Sequence, residues 1–179
     1  TSVAGIINGT SNFILSAMTA GADFSAALAE AQRLGYAEAD PTFDVEGIDA
    51  AHKLTILAAL AFEMPFAFAA VHCEGITRIT PEDLRSAARL GYAIKHLGIA
   101  RQTPAGVELR VHPTLIPKEH MMAHVNGVMN AVLVRGDAAG DTLYCGPGAG
   151  SLPTASAVVA DLIELARGGV PVHTRSEPV

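Results

Sequence analysis

Apolar residues recur at helical spacing through the first third of the chain and give way to short strand-like runs in its middle. "NGTSNFILSAMTAG" opens with turn formers, continues with helix-spaced apolar residues and stops at Gly21. "DFSAALAEAQRLG" predicts a second helix, with Asp23 or Ser25 as N-cap and Gly35 as its stop. The next segment reads as a loop, because Pro41 biases Asp40 away from helix. Helical spacing returns near Val45 and runs to Phe62. "TPEDLRSAARLG" predicts a short helix capped by Thr80, with Pro81 in its first turn, Asp83 completing a capping-box pattern and Gly91 ending it. Four strand-like runs follow, "YAIKHLGIA", "VELRVHPTLI", "NAVLVRG" and "DTLYCG", then a last helix from Pro153 to about Arg167. The strands are too closely spaced for uninterrupted βαβ alternation. The expectation is therefore α+β: a two-layer sandwich in which a mixed β-sheet carries helices packed on one face. Residues 1–168 read as one domain and residues 169–179 as a tail of linker composition.

Composition narrows the function. A chain of 179 residues, 50% hydrophobic and 17% charged, can form a well-buried core and does not have the make-up of a disordered segment. A net charge of −6 with scattered basic residues argues against a nucleic-acid partner. The most apolar run, "LTILAALAFEMPFAFAAV", is interrupted by Glu63 and Pro65, whereas spanning a bilayer takes about 20 largely apolar residues, so no membrane partner is expected. Cys73 and Cys145 form no CxxC pair and read as ordinary buried thiols of a reducing, cytoplasmic compartment. No signal peptide is visible, and the first residue is Thr, so the expectation is a piece of a longer polypeptide.

Against this bland background, "EADPTFDVEGIDAAHK" is dense with charge. Glu38, Asp40, Asp44, Glu46 and Asp49 fall within twelve residues, and Lys53, one of only three lysines, follows. On a helix Asp49 and Lys53 are four apart and share a face. One reading is a surface pair contributing about 0.2–0.5 kcal/mol. The other is functional: Lys53 stands at the edge of an uncharged helical stretch, and the acids lie on a turn-rich segment of the kind that presents binding residues. A partly desolvated lysine can exchange protons, and nearby carboxylates can orient it or bind an ammonium group. That chemistry suits proton transfer on a small cationic or zwitterionic substrate. A hard cation is the competing ligand, but the spacing matches no EF-hand loop and no metal site is assigned. A second motif, "CGPGAGSLPTASAVVADL", sets a Gly-rich turn between a strand and a helix, where close backbone approach and free N–H groups suit an anion. As a dinucleotide fingerprint it is incomplete, since Ser151 stands at the last position, and a plain tight turn is the alternative.

The blocks "GIINGTSNFIL", "GYAEADPTFDVEGIDAAHKLTILAALAF" and "GPGAGSLPTASAVVADL", in that order from Gly5 to Leu162, resemble the catalytic region of homoserine dehydrogenases. The resemblance implies an NADP- or NAD-dependent oxidoreductase that interconverts L-homoserine and L-aspartate 4-semialdehyde, on the route to threonine, methionine and isoleucine. It implies Lys53 as the catalytic lysine with Asp49 orienting it, and Glu38 as the carboxylate for the substrate's amino group. Asp44, Tyr36, Thr10 and Gly9 match further substrate-pocket positions, and Gly150 and Gly148 match the loop that meets the cofactor. Phe43 departs from members that carry a second acid beside Asp44, which weakens an acidic pair there. The family's nucleotide-binding domain, a second catalytic lysine and a monovalent-cation site would lie upstream, so this chain would hold the substrate half of the site, within a homodimer. A non-catalytic amino-acid-binding or regulatory module on the same fold is the alternative. The remaining candidates are set aside: "HMMAH", with His120 and His124 four apart, lacks the glutamate of a zinc-protease helix, and His52 points away from Lys53 and reads as a packing residue.

Overall fold

The computed structural model describes residues 1–168; the expected tail at 169–179 lies outside the described residues. The fold is the α+β sandwich expected, a six-stranded mixed sheet with helices on one face. Its strands are β1 (Ser2–Ile6), β2 (His72–Cys73), β3 (Tyr92–Thr103), β4 (Gly106–Pro117), β5 (Met129–Gly136) and β6 (Gly140–Pro147), ordered β2-β4-β3-β1-β5-β6. All neighbours are antiparallel except the edge pair β2–β4. β1 was not expected from the sequence: five residues ahead of a turn are too few for period-2 alternation to stand out. Yet it occupies the middle of the sheet, with Val3 and Ile6 buried.

Side chains alternate between the two faces of the sheet. On one face Ile94 packs with α1 (Gly9–Thr19), α2 (Phe24–Arg33) and α5 (Pro81–Arg89). Ile7, Ala100, Leu109 and Val111 pack there against Ala50, Ala51, Leu54 and Ala58 of α4 (Ile48–Phe62). On the other face Leu97, Ile99, Ile116 and Leu133 lie under a single 3-10 turn, Met121–His124. The last helix, α6 (Ser151–Ala166), buries none of its residues and begins two residues before the expected Pro153.

Two expectations are corrected. The acidic segment is not all loop: Thr42–Val45 forms one helical turn, α3, after which Gly47 adopts φ 83° and α4 starts at Ile48 instead of near Val45. A side chain at Gly47 would meet His96, Val111 and Cys73 at 3.0–3.2 Å, so both the left-handed backbone and the packing require glycine there. Cys73 and Cys145 are also not buried; both are free and exposed, Cys73 on the edge strand β2 and Cys145 on the edge strand β6.

Ending β1 at Ile6 leaves a gap between β3 and β5, because β3 continues to Tyr92 without a partner on that side. Two polar side chains satisfy the backbone there. The Asn12 amide donates to the carbonyls of Val125, Gly127 and Met129 at 3.0–3.1 Å. Lys95, 3% exposed, donates to Val125 O at 2.6 Å, Asn126 Oδ1 at 2.8 Å and Asn12 Oδ1 at 3.4 Å. No carboxylate among the described residues pairs with it, and burial pushes its ammonium down to about 8. The folded protein therefore releases this proton near pH 8, while the unfolded chain holds it to its ordinary value of 10.5. Between those values the unfolded state binds more protons, so this site's contribution to stability rises with pH. Urea unfolding between pH 7 and 11 should show wild type gaining on Lys95→Met across that window and nowhere else; a pH-independent gap would contradict the burial of a charged Lys95.

Candidate active site

The first turn of α1 gathers the acidic segment. Asn8 is the N-cap, its Oδ1 accepting from the Ser11 amide at 2.8 Å. Its Nδ2 points outward between two carboxylates, donating to Asp44 Oδ1 at 2.8 Å and Asp49 Oδ2 at 2.9 Å. Ser11 adds a bond from its hydroxyl to the backbone carbonyl of Asp44 at 2.9 Å. One buried carboxamide thus ties β1, α1, α3 and α4 together at the point where the acids cluster. The acids are met by hydrogen-bond donors instead of converging as oxygen ligands. Among the described residues no group of three or more His, Cys, Asp or Glu side chains is placed to hold a metal ion.

Asp49 and Lys53 share a face of α4, as their spacing predicts, with Lys53 Nζ donating to Asp49 Oδ2 at 2.8 Å. Lys53 is about half exposed, and an ammonium has three N–H bonds, so two remain for a ligand. The same oxygen of Asp49 accepts from both Asn8 and Lys53, which fixes the carboxylate from two sides. The pair is accessible and oriented, the geometry that a proton-transferring lysine needs.

The other expected residues fall around this cluster at different ranges. Thr10 donates to the backbone carbonyl of Tyr36 at 2.6 Å, and the Tyr36 ring packs edge-on against Phe13 at 5.1 Å. These two contacts hold the 35–38 turn against α1. Glu38 follows, its backbone carbonyl bound by Gln32 at 3.0 Å, while its exposed carboxylate has no partner among the described residues. Gly9 lies so close to the 125–129 turn that a Cβ would stand 3.0 Å from Val128 O, so the first turn of α1 requires glycine there for packing. His52 is stacked between Phe43 and Phe68, at 5.7 and 4.1 Å, on the outer side of α4.

The glycine loop joins β6 to α6. Gly148 sits on Asn130: a Cβ at position 148 would lie 1.9 Å from the Asn130 amide nitrogen, so a larger residue would have to displace that side chain. Asn130 Oδ1 is buried with no hydrogen-bond partner among the described residues. Gly150, at φ 124°, precedes α6 with no side-chain cap, leaving the first amides of that helix free. In the sheet, Ile6 lies opposite Ala131, which brings Asn130 beside the strand end leading into Asn8. Register therefore sets the loop on the same side of the sheet's centre as the acid–lysine cluster.

Comparison with known proteins agrees with this arrangement. The fold is that of solved dehydrogenases. It matches the crystal structure of a homoserine dehydrogenase from Thiobacillus denitrificans with a TM-score of 0.92 at 62% identity, covering 99% of this chain and 41% of that one. It also matches a hyperthermophilic archaeal homoserine dehydrogenase in complex with NADPH, with a TM-score of 0.79 at 26% identity over 96% of this chain and 48% of that one. The homoserine dehydrogenase family profile matches residues 1–163, and the chain belongs to that family. A Pseudomonas aeruginosa homoserine dehydrogenase is 65% identical over 92% of this chain and 38% of its own length. The chain thus spans about two fifths of such relatives.

Sequence reasoning missed the residue that joins the cluster. Asn8 was legible only as a turn former, although Asn immediately before a helical pattern is an N-cap signal; its bonds to Asp44 and Asp49 depend on tertiary packing. Asn8→Ala should cost about 2–4 kcal/mol, combining a lost cap with lost bonds to charged groups, as read by urea unfolding at neutral pH. Asn8→Asp keeps the cap acceptor but sets a third negative charge against Asp44 and Asp49. Such crowding raises carboxyl pKa values in the folded state, so its penalty should shrink as the pH falls toward 4. Equal penalties at pH 7 and pH 4 would contradict the contact.

Proposed function

We propose that this chain is the substrate half of the active site of an NAD(P)-dependent homoserine dehydrogenase. The enzyme interconverts L-homoserine and L-aspartate 4-semialdehyde in threonine, methionine and isoleucine biosynthesis. The observation that carries the reading is the Asp49–Lys53 pair, oriented by Asn8 and presented with free ammonium donors, while the exposed Glu38 follows a turn that Thr10 ties to the same helix start. Residues 1–168 act as the catalytic domain of a cytoplasmic homodimer. Among the described residues no helix is long and apolar enough to cross a membrane.

In this mechanism Glu38 binds the α-ammonium of the substrate, and Asp44, Tyr36, Thr10 and Gly9 shape the wall between it and α4. The terminal oxygen of the substrate meets Lys53. In the oxidative direction the neutral amine of Lys53 takes the hydroxyl proton; in the reductive direction its ammonium returns a proton to the carbonyl oxygen. Asp49 keeps the amine aimed in both directions. The nicotinamide dinucleotide, when bound, supplies or accepts the hydride at the substrate's terminal carbon. The residues present fit that group. Gly148 and Gly150 allow close backbone approach, the uncapped start of α6 offers N–H donors, and the orphaned Asn130 Oδ1 is an acceptor awaiting a donor.

The test is turnover of the intact parent protein with L-homoserine and NAD⁺ or NADP⁺, followed by absorbance of the reduced nicotinamide. Homoserine-dependent reduction is expected. Binding of homoserine without turnover would favour a non-catalytic amino-acid-binding module, and neither binding nor turnover would overturn both readings. Lys53→Ala should lower kcat by about a hundredfold or more, whereas Glu38→Gln should chiefly raise KM for homoserine. Near-normal kcat in the first, or unchanged KM in the second, would remove that residue from its role.

A further inference from the structure

Lys95 has no part in that mechanism, yet it is buried, cationic and bonded only to neutral oxygens. Burying an unpaired ammonium is costly, and a neutral side chain could fill the gap between β3 and β5 without that cost. Its contacts indicate what the charge is used for. Val125 O and Asn126 Oδ1, at 2.6 and 2.8 Å, belong to the turn that runs into β5. The third acceptor, Asn12 Oδ1, lies on the first turn of α1. The other end of the Asn12 side chain binds the carbonyls of 125, 127 and 129, and Ser16 Oγ accepts from the Gly127 amide at 3.1 Å while donating to Asn12 O at 2.7 Å. Val128 O then abuts Gly9, the first residue of α1, next to Asn8. The path from Lys95 to Asp49 and Lys53 is therefore continuous: turn 125–129, first turn of α1, Asn8, Asp49, Lys53. Every link is a hydrogen bond, a covalent neighbour or a close backbone contact.

We propose that Lys95 is a positioning residue for the Asp49–Lys53 pair: its buried ammonium clamps the 125–129 turn against the first turn of α1 and so sets where Asn8 holds the two carboxylates. Glu38 is tied to this path only through the Thr10–Tyr36 bond and is held besides by Gln32 of α2. Loss of the clamp therefore displaces the proton-transferring lysine more than the ammonium-binding carboxylate. A displacement of that kind lowers turnover by about ten- to a hundredfold. It does so without weakening ground-state binding, which a general loss of folded protein would not do to active-site-titrated enzyme.

The inference rests on the proposed dehydrogenase reading, so the experiment separates the two. The intact parent protein, wild type, Lys95→Met and Asn126→Ala, is assayed with L-homoserine and NADP⁺ or NAD⁺, and amide hydrogen exchange is followed at Ser11, Asn12 and Gly127. Lys95→Met keeps the bulk and removes the cation; Asn126 is exposed, so Asn126→Ala removes one acceptor with little risk to folding. The expected result is a kcat at least tenfold lower in Lys95→Met and several-fold lower in Asn126→Ala. KM for homoserine should stay within about twofold, with faster exchange at all three amides. If Lys95→Met does not fold, the Asn126→Ala result decides. Wild-type kcat in the folded variants, whatever their Tm, overturns the proposal. If wild type itself shows no turnover the dehydrogenase reading fails, and unchanged exchange in both variants then overturns the clamp separately.

Discussion

The site depends on one carboxamide. The Asn8 side chain makes three bonds: its oxygen accepts from the Ser11 amide to cap α1, and its two N–H bonds reach Asp44 and Asp49. Two carboxylates facing each other across a gap would repel, and each would lose hydration as α3 and α4 closed over α1. A neutral double donor resolves both problems without adding a charge. A lysine in the place of Asn8 would neutralise the pair more strongly, but it would remove the cap. Asparagine therefore serves both the helix start and the carboxylate pair.

The Asp49–Lys53 ion pair has a different standing. It is half exposed and lies along one helix face, so its contribution to folding is of the order of a few tenths of a kcal/mol. Its geometry matters more than its energy. An aspartate that accepts from Asn8 and Lys53 through the same oxygen cannot rotate without breaking a bond to a second helix, which converts a loose surface pair into an aimed one. What distinguishes this pair from an ordinary surface pair is Asn8, a residue more than forty positions away in sequence.

That separation marks what the sequence could show. α5 was legible to the residue, because Thr80, Pro81 and Asp83 write a capping box locally and the box forms. The sandwich followed from the order of periodic segments. α3 was missed because one helical turn leaves no periodicity, and the turn is closed by Gly47, whose left-handed conformation reflects contact with His96 and Val111 from distant strands. The cysteines were misplaced because burial was inferred from residue type, whereas both lie on edge strands. Lys95 offered a signal: Ala93, Lys95, Leu97 and Ile99 alternate onto one face, and three of the four pack in the core there. Its charge argued for exposure, and only the acceptors thirty residues on explain why it can be inside.

The exposed α6 stands apart from the core that fixes the cluster. A helix that carries Leu152, Val158, Val159, Leu162, Ile163 and Leu165 at the surface buries none of them within the described residues, yet it starts from the glycine loop whose Gly148 is pinned by Asn130. The two features differ in how they are fixed. The loop's position is set from within this domain, by the β5–β6 register and the close fit over Asn130, whereas the helix beyond it gains nothing from this domain's core. Sheet register also places β1, and through it Asn8, alongside β5. The acid–lysine pair and the glycine loop are therefore referenced to the same run of strands, β1, β5 and β6. The sheet thus keeps the two features in register while the apolar side chains of α6 stay at the surface.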